Sequence, residues 1–505
     1  MLISKTFINA VVLASLSQIS LAAAEGNAGS GLAMSNEAVS LNITKKQFYQ
    51  SRFNFGVNLG SSFVREDWIY PALFPQGVTT ELEAITIEAK EDAEAAREKL
   101  ETHWKSFMLD WDWNWLQERN VNSIRLPIGY WHVDGGLFVE GTRFEQYADI
   151  YKNAWTIFKT HYIEPAAKRG ISVLVTLHGV PGSANINDHN GEKSGAAELW
   201  TNAKYQEIMV KIYAFLAKDL KEYENISGLQ LVNEAEWAEP GTAQKQFYTA
   251  SINAIREHDK DVPIVISDSW NPRQYADWVQ EVQGTSSSAG IVVDHHFYKC
   301  FTEADKSRSA EQSISDLDTL LLALVKDNNR GVDFMVGEWA AVLAPETWTL
   351  SGIDPNEKDN QRRNELEAEF GKTEEKLIEE RASAGSYFWT YKFEYGSGGG
   401  WDFSQQLGRS LEAPVVYMAD ELTMENALKE ALSELGSDAE KEGYAVAWND
   451  AAWYARQGAL IGRKQAVKFA RMQQHLSSSK LASAAEWEKG YDNGMLSIGM
   501  IVRGC

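Results

Sequence analysis

Positive charge is what this sequence lacks most. Its 48 Lys and Arg stand against 71 Asp and Glu, a formal charge of −23 at pH 7. Nucleic acid and anionic membranes both demand basic patches, so neither is expected as a partner. Long apolar runs are missing beyond the N-terminus, so nothing after it is expected to cross a bilayer. No stretch rich in proline or glycine marks a linker, and no internal repeat is visible, which points to one domain with appendages. Cysteine is nearly absent. Cys300 and Cys505 are the two that exist, enough for one bridge, and in an oxidising compartment they are expected to pair and tie the C-terminus to the body. What the chain does have is 44% hydrophobic and 24% charged residues over 505 positions, a globular composition able to bury a full core.

The opening MLISKTFINAVVLASLSQISLAAAEG places one lysine before an apolar stretch and small residues before Glu25. That is the layout of a secretory leader cleaved near Ala23 or Ala24, and Asn9, Ser15, Gln18 and Ser20 make it too polar for a membrane span. Residues 1–24 are therefore expected to be removed and the mature chain exported, to the extracellular space or the cell wall, as a monomer free of the membrane. Two sequons, at Asn42 and Asn225, are candidate N-glycosylation sites.

Eight short apolar runs alternate with long amphipathic stretches: FNFGVNLG (53–60), SIRLPI (123–128), SVLVTLH (172–178), GLQLVNE (228–234), PIVISD (263–268), IVVDHHFY (291–298), DFMVGEW (333–339) and GSYFWTYK (385–392). Continuous apolar runs of this length suit strands covered on both faces, and the segments between them carry apolar residues at helical spacing. Eight such repeats predict an α/β fold, a (β/α)8 TIM barrel with long loops and a helical C-terminal extension. The expected division is a catalytic domain over 25–475, with its N-terminal lead-in, and an extension over 476–505 packed on the barrel. Either TMENALKEALSELG or NDAAWYARQGALIGRKQAVKFARMQQHL is expected to supply the eighth helix.

Several runs finish on a chemically useful residue: His178, Glu234, the group His295, His296 and Tyr298, and Glu338. In a barrel of this kind those ends converge on one face, where active sites are built. Glu234 and Glu338 end the fourth and seventh runs alike, three β/α units apart. Two carboxylates across a pocket are what glycosidic bond cleavage requires, one to protonate the leaving oxygen and one to attack or to activate water. Asn233 is placed to hydrogen-bond the hydroxyl beside the anomeric carbon. A metal is not expected: His295 and His296 are adjacent on a strand and point to opposite faces, and NINDHNG lacks the spacing of a calcium loop. No cofactor is expected either. Trp237 and Trp339, directly after the strands that carry the two glutamates, are candidates to line the cleft.

An ordered set of motifs resembles glycoside hydrolase family 5, and within it the fungal exo-β-1,3-glucanase group: GVNLGSSFVREDWIYPALF, LETHWKSFMLDWDWNWLQERNVNSIRLPIGYW, LHGVPGSANINDHNG, LVNEAEW, VVDHHFYKCF, VGEWAA and FWTYKFE. The resemblance implies a retaining double displacement releasing glucose from the non-reducing end of β-1,3-glucan, with Glu234 as acid/base and Glu338 as nucleophile. It also implies that Arg125 and Tyr298 hold the nucleophile, and that His178, Asn233 and His296 surround the sugar being cleaved, with Trp389 as its floor. Glu66 and Trp68 would grip the non-reducing end, and Phe301 would be one half of an aromatic clamp on the next sugar. The chain departs from the group at Ala235, where proline is usual, at NLGSSFVRED in the first loop, and at Asn187, where the second clamp phenylalanine is expected. Those departures leave other substrates open, β-1,6-glucan or a small-molecule β-glucoside, as well as a catalytically silent glucan-binding wall protein.

Overall fold

The computed structural model describes residues 43–283, 290–327, 331–478 and 483–502. The leader, Asn42 and Cys505 lie outside them. Eight strands, all parallel, close into a barrel in chain order: β1 (Asn54–Asn58), β2 (Ser123–Gly129), β3 (Ser172–Gly179), β4 (Ile226–Gln230), β5 (Ile264–Ser267), β6 (Ile291–Lys299), β7 (Asp333–Leu343) and β8 (Gly385–Phe388). β8 closes on β1 through the register Asn54–Gly385 to Val57–Phe388.

Two apolar layers follow from strands buried on both faces. Side chains pointing outward, among them Val57, Ile124, Val173 and Val293, join the surrounding helices in one large core. Inside the barrel Leu174, Val265, Val292, Met335 and Tyr387 form a separate plug. Above that plug the interior turns polar, with Asn58, Arg125, Gln230 and Asp294 all buried. This polar storey is the floor of the site.

β4 is shorter than its sequence run suggests. Its assigned strand ends at Gln230, although Leu231 and Asn233 still donate to Val265 O and Leu177 O. Glu234 then sits on left-handed backbone, at φ 43°, so it belongs to the turn above the barrel rather than to the strand.

Trp131 supports the loop after β3. It is fully buried and stacks on Phe144 at 4.0 Å and 6°. A Cβ added to Gly179 or Gly191 would fall 2.3 or 2.5 Å from its ring, so the indole fills the space that these two glycines leave at the end of β3 and in the following loop.

The C-terminal helices belong largely to a second compact unit. The described residues form two compact units, one within 45–414 and 462–469, and one within 415–461 and 470–502. The helix Ala484–Val502 groups with residues 415–461. In that second unit helices Asp438–Arg456 and Ala484–Val502 pack so closely that a Cβ on Gly443 would lie 2.0 Å from Trp487 O. Arg471 binds Asp450 there through a buried ion pair, its Nε 2.9 Å from Oδ2. Of the two candidates for an eighth helix, TMENALKEALSELG falls in this unit, whereas residues 462–469 count with the barrel. Among the described residues no helix is long and apolar enough to cross a membrane.

One sequon is excluded. Asn225 is buried, and its Nδ2 donates to Ile163 O at 3.0 Å and Ile171 O at 3.2 Å. A glycan on that nitrogen has no room and would break both bonds.

Trp131→Ala should cost about 3–5 kcal/mol of unfolding free energy in urea, while Trp111→Ala, at an exposed indole, should stay within about 0.5 kcal/mol. Equal effects would mean that Trp131 is not a structural support.

Candidate active site

Arg125 rises from β2 into the centre of the polar storey. Its Nε donates to Gln230 Oε1 at 2.8 Å, one terminal nitrogen to Asn58 Oδ1 and Glu338 Oε1, both at 2.8 Å, and the other to Asn233 Oδ1 at 2.6 Å. Tyr298 donates its hydroxyl to the other oxygen of Glu338 at 2.9 Å. Burial and the neighbouring Glu338 push the Tyr298 phenol well above its usual range, so it stays protonated as a donor.

Glu338 reaches the interior because β7 carries an extra residue. Against β6 the register runs His295–Val336 and then His296–Glu338, skipping Gly337. Met335 points into the barrel, so strict alternation would send Glu338 outward; the bulge turns it in. Asp294 fixes the bulge, accepting from Gly337 N at 2.7 Å. A Cβ at residue 337 would lie 2.3 Å from Asp294 Oδ1, which is why glycine stands there.

Asp294 begins a second chain of contacts. Its Oδ2 accepts from Gln230 Nε2 at 2.6 Å and lies 3.0 Å from His296 Nε2. His296 Nδ1 is 2.9 Å from Glu234 Oε1 and 3.5 Å from Glu338 Oε2. Burial lowers the His296 pKa, but Glu338 and Asp294 outweigh it and raise it well above the ordinary value. His295, on the opposite face, pairs instead with Asp268 at 2.6 Å.

The other oxygen of Glu234 meets a residue that sequence reasoning passed over, His189, whose Nε2 is 3.1 Å from Oε2. Burial pushes the Glu234 carboxyl up, yet His189 and His296 overcome this and hold it well below the usual carboxylate range. Glu66 shows the opposite balance. Burial, with Glu338 and Glu234 nearby, pushes it up to about 8 against the pull of His189 and Trp68.

Glu66, His189, Glu234, His296, Tyr298 and Glu338 line one cavity of about 1120 Å³. His178, Asn233, Phe301, Asn187 and Trp389 line it too, Trp389 stacking on His178 at 5.7 Å and 9°. Trp68 donates its indole N–H to Glu66 Oε2 at 3.0 Å. Trp401, which no sequence motif marks, packs between Trp68 at 5.6 Å and Tyr298 at 5.4 Å. Three buried polar atoms on this lining, Asn233 Nδ2, His178 Nδ1 and Glu66 Oε1, have no partner among the described residues. Of the other candidates, Trp339 is buried against Phe388 in the outer core and Trp237 is exposed away from the cavity wall. Cys300 is half-buried, and burial pushes its thiol up to about 12.

Glu234, His296 and Glu338 bring one atom each within 4.8 Å of one another. The donor set suits a cation poorly, because both His296 nitrogens already face carboxylates and Glu338 is neutralised by Arg125. A closed parallel barrel with two carboxylates facing each other at its mouth fits the class of barrel glycoside hydrolases. Residues 89–372 match the model for cellulase of glycosyl hydrolase family 5. The chain is 31% identical to an uncharacterized glycosyl hydrolase of Saccharomyces cerevisiae, over 90% of this chain and 92% of that protein. It is 30% identical to glucan 1,3-beta-glucosidase 3 of Schizosaccharomyces pombe, over 90% and 96%. The structure of a rutinosidase from Aspergillus niger shares the fold, with a TM-score of 0.53 and 16% identity over 70% of this chain and 93% of that one. The chain belongs to glycosyl hydrolase family 5.

If the bulge aims Glu338, Gly337→Ala should lower kcat on an aryl β-glucoside about 100-fold, since a misplacement near 1 Å costs that much, with KM changing far less. An unaltered kcat would show that Glu338 does not depend on the bulge.

Proposed function

We propose that the protein is a secreted, retaining β-glucosidase that removes glucose from the non-reducing end of β-1,3-glucan. One observation carries the mechanism: one carboxylate oxygen of Glu234 and one of Glu338 lie within 4.8 Å of each other. Retaining enzymes hold their carboxyl groups roughly 5–5.5 Å apart, whereas inverting enzymes need roughly 6.5–9.5 Å to admit a water between them.

The two glutamates divide the work by their surroundings. Glu338, with Arg125 on one oxygen and Tyr298 on the other, is held as an oriented anion, the state a nucleophile needs. It attacks the anomeric carbon as the glycosidic C–O bond breaks, and Glu234 gives a proton to the departing oxygen. Water then enters, Glu234 takes its proton, and the ester to Glu338 is cleaved. The unpartnered Asn233 Nδ2, His178 Nδ1 and Glu66 Oε1 supply a donor and acceptors for sugar hydroxyls, with the Trp389 face beneath the ring. Glu66 and Trp68, on one wall, support recognition of a chain end. The name of the fission-yeast relative supports the 1,3 linkage. Export rests on the leader-like N-terminus.

Purified protein should release glucose from laminarin and leave pustulan and cellulose intact. Turnover of pustulan alone would overturn the linkage, and longer oligosaccharides as first products would overturn exo action. Azide should partly restore turnover of a dinitrophenyl glucoside by Glu234→Ala, with the glycosyl azide keeping the β-configuration; failure of rescue would remove the acid/base role.

A further inference from the structure

The acid/base role leaves a difficulty. Both Glu234 oxygens face imidazole nitrogens, Oε1 at 2.9 Å from His296 and Oε2 at 3.1 Å from His189. A carboxyl held in this way gives up its own proton readily, yet the first chemical step needs one. His296 lies between Asp294 and Glu234, with Glu338 also near, and is committed to balancing them. His189 has one carboxylate at hydrogen-bond distance.

We propose that His189 is a positioning residue for the acid step, sharing a single proton with Glu234 and delivering it through Glu234 Oε2 to the leaving oxygen. In the resting pair the proton sits on His189 Nε2, facing the Glu234 carboxylate. As negative charge develops on the departing oxygen, Glu234 Oε2 passes a proton to it. That proton is the one Oε2 receives from Nε2 in the same step, so its departure leaves His189 neutral and Glu234 ionised. When water attacks the glycosyl ester on Glu338, Glu234 takes one proton from it, and the pair is back at one proton. Protons balance over the cycle, and no other reactant is required.

The loop is built to hold His189 in place. Asn185 donates its Nδ2 to Glu234 O at 2.6 Å and approaches His189 Nε2 at 3.4 Å. Asn190 donates to Asn185 Oδ1 at 2.6 Å and Asn187 O at 2.8 Å, and Gly191 lies against Trp131. The imidazole of His178, on β3, meets the His189 ring edge-on at 5.3 Å. The groups facing His189 are Glu234 from the turn after β4, Glu66 from the loop after β1, Glu338 on β7, and His178, which burial keeps neutral. In its own loop Asp188 pairs with Lys193. Burial lowers the His189 pKa, but Glu234 with Glu66 and Glu338 outweighs it, so the imidazole titrates above its ordinary value.

This inference rests on the glucosidase reading, and one experiment separates their failures. The pH profile of kcat/KM is measured for wild type, His189→Gln and His189→Asn with two substrates. Phenyl β-glucoside needs acid assistance, and 2,4-dinitrophenyl β-glucoside leaves without it. The shared proton is lost at high pH, so the wild-type alkaline limb on the phenyl substrate reports the pair. Without His189 the proton must reside on Glu234 alone beside a charged His296. That limb should then move down by about one pH unit or more, with about a tenfold or greater loss at neutral pH. The dinitrophenyl profile should change by less than about threefold. Equal losses on both substrates in either folded variant, with the limb unmoved, would overturn the inference and make His189 a loop support. No turnover of either substrate by wild type would overturn the glucosidase reading itself.

Discussion

A single enclosed guanidinium organises the mouth of this barrel. Arg125 has no solvent contact, and its hydrogen bonds reach Asn58 on β1, Gln230 on β4, Asn233 just past it and Glu338 on β7. Removing a charge from water costs several kcal/mol unless it is paired and hydrogen-bonded, and here the neighbouring elements supply four acceptors. Those same bonds fix Asn233 and Glu338, which stand directly against the substrate in the proposed mechanism. Structure and chemistry therefore share one constraint: the strands must bring four acceptors to one cation, and in doing so they place an anion where a nucleophile is needed.

A second constraint stands on the first. Gln230 accepts from Arg125 and donates to Asp294, which holds both the Gly337 amide and His296. Through that chain the β7 bulge, the imidazole and both glutamates are coupled, so the site is preorganised without substrate. The cost is a crowd of carboxylates in little solvent. Glu66, pushed up to about 8, answers it by keeping its proton, while Glu234 is answered by two imidazoles.

The barrel was legible because parallel strands buried on both faces appear as uninterrupted apolar runs, and all eight runs contain strands. Strand ends were less so. Glu234 looked like the last residue of a strand, but its left-handed backbone depends on the turn above β4, which no periodicity announces. The C-terminal helices were visible as amphipathic segments, yet which of them group together depends on long-range packing, such as Gly443 against Trp487. His189 was hidden for a related reason. It lies in a polar loop, NINDHNG, that offers no pattern, and the closed barrel alone brings it to Glu234. Its one sequence signal was weak, a histidine eleven residues beyond His178 in the same β/α loop. Gly337 carried a clearer one: a glycine before a candidate catalytic residue marks a bulge or a close approach.

The central claim is that Glu338, held by Arg125 and Tyr298, forms a covalent bond to the sugar. The most direct measurement is to inactivate the protein with 2,4-dinitrophenyl 2-deoxy-2-fluoro-β-glucoside and locate the added mass by peptide mass spectrometry. A fluoroglucosyl ester on Glu338 is the predicted result. A label on Glu234, or stoichiometric release of dinitrophenol with no labelled peptide, would contradict the account.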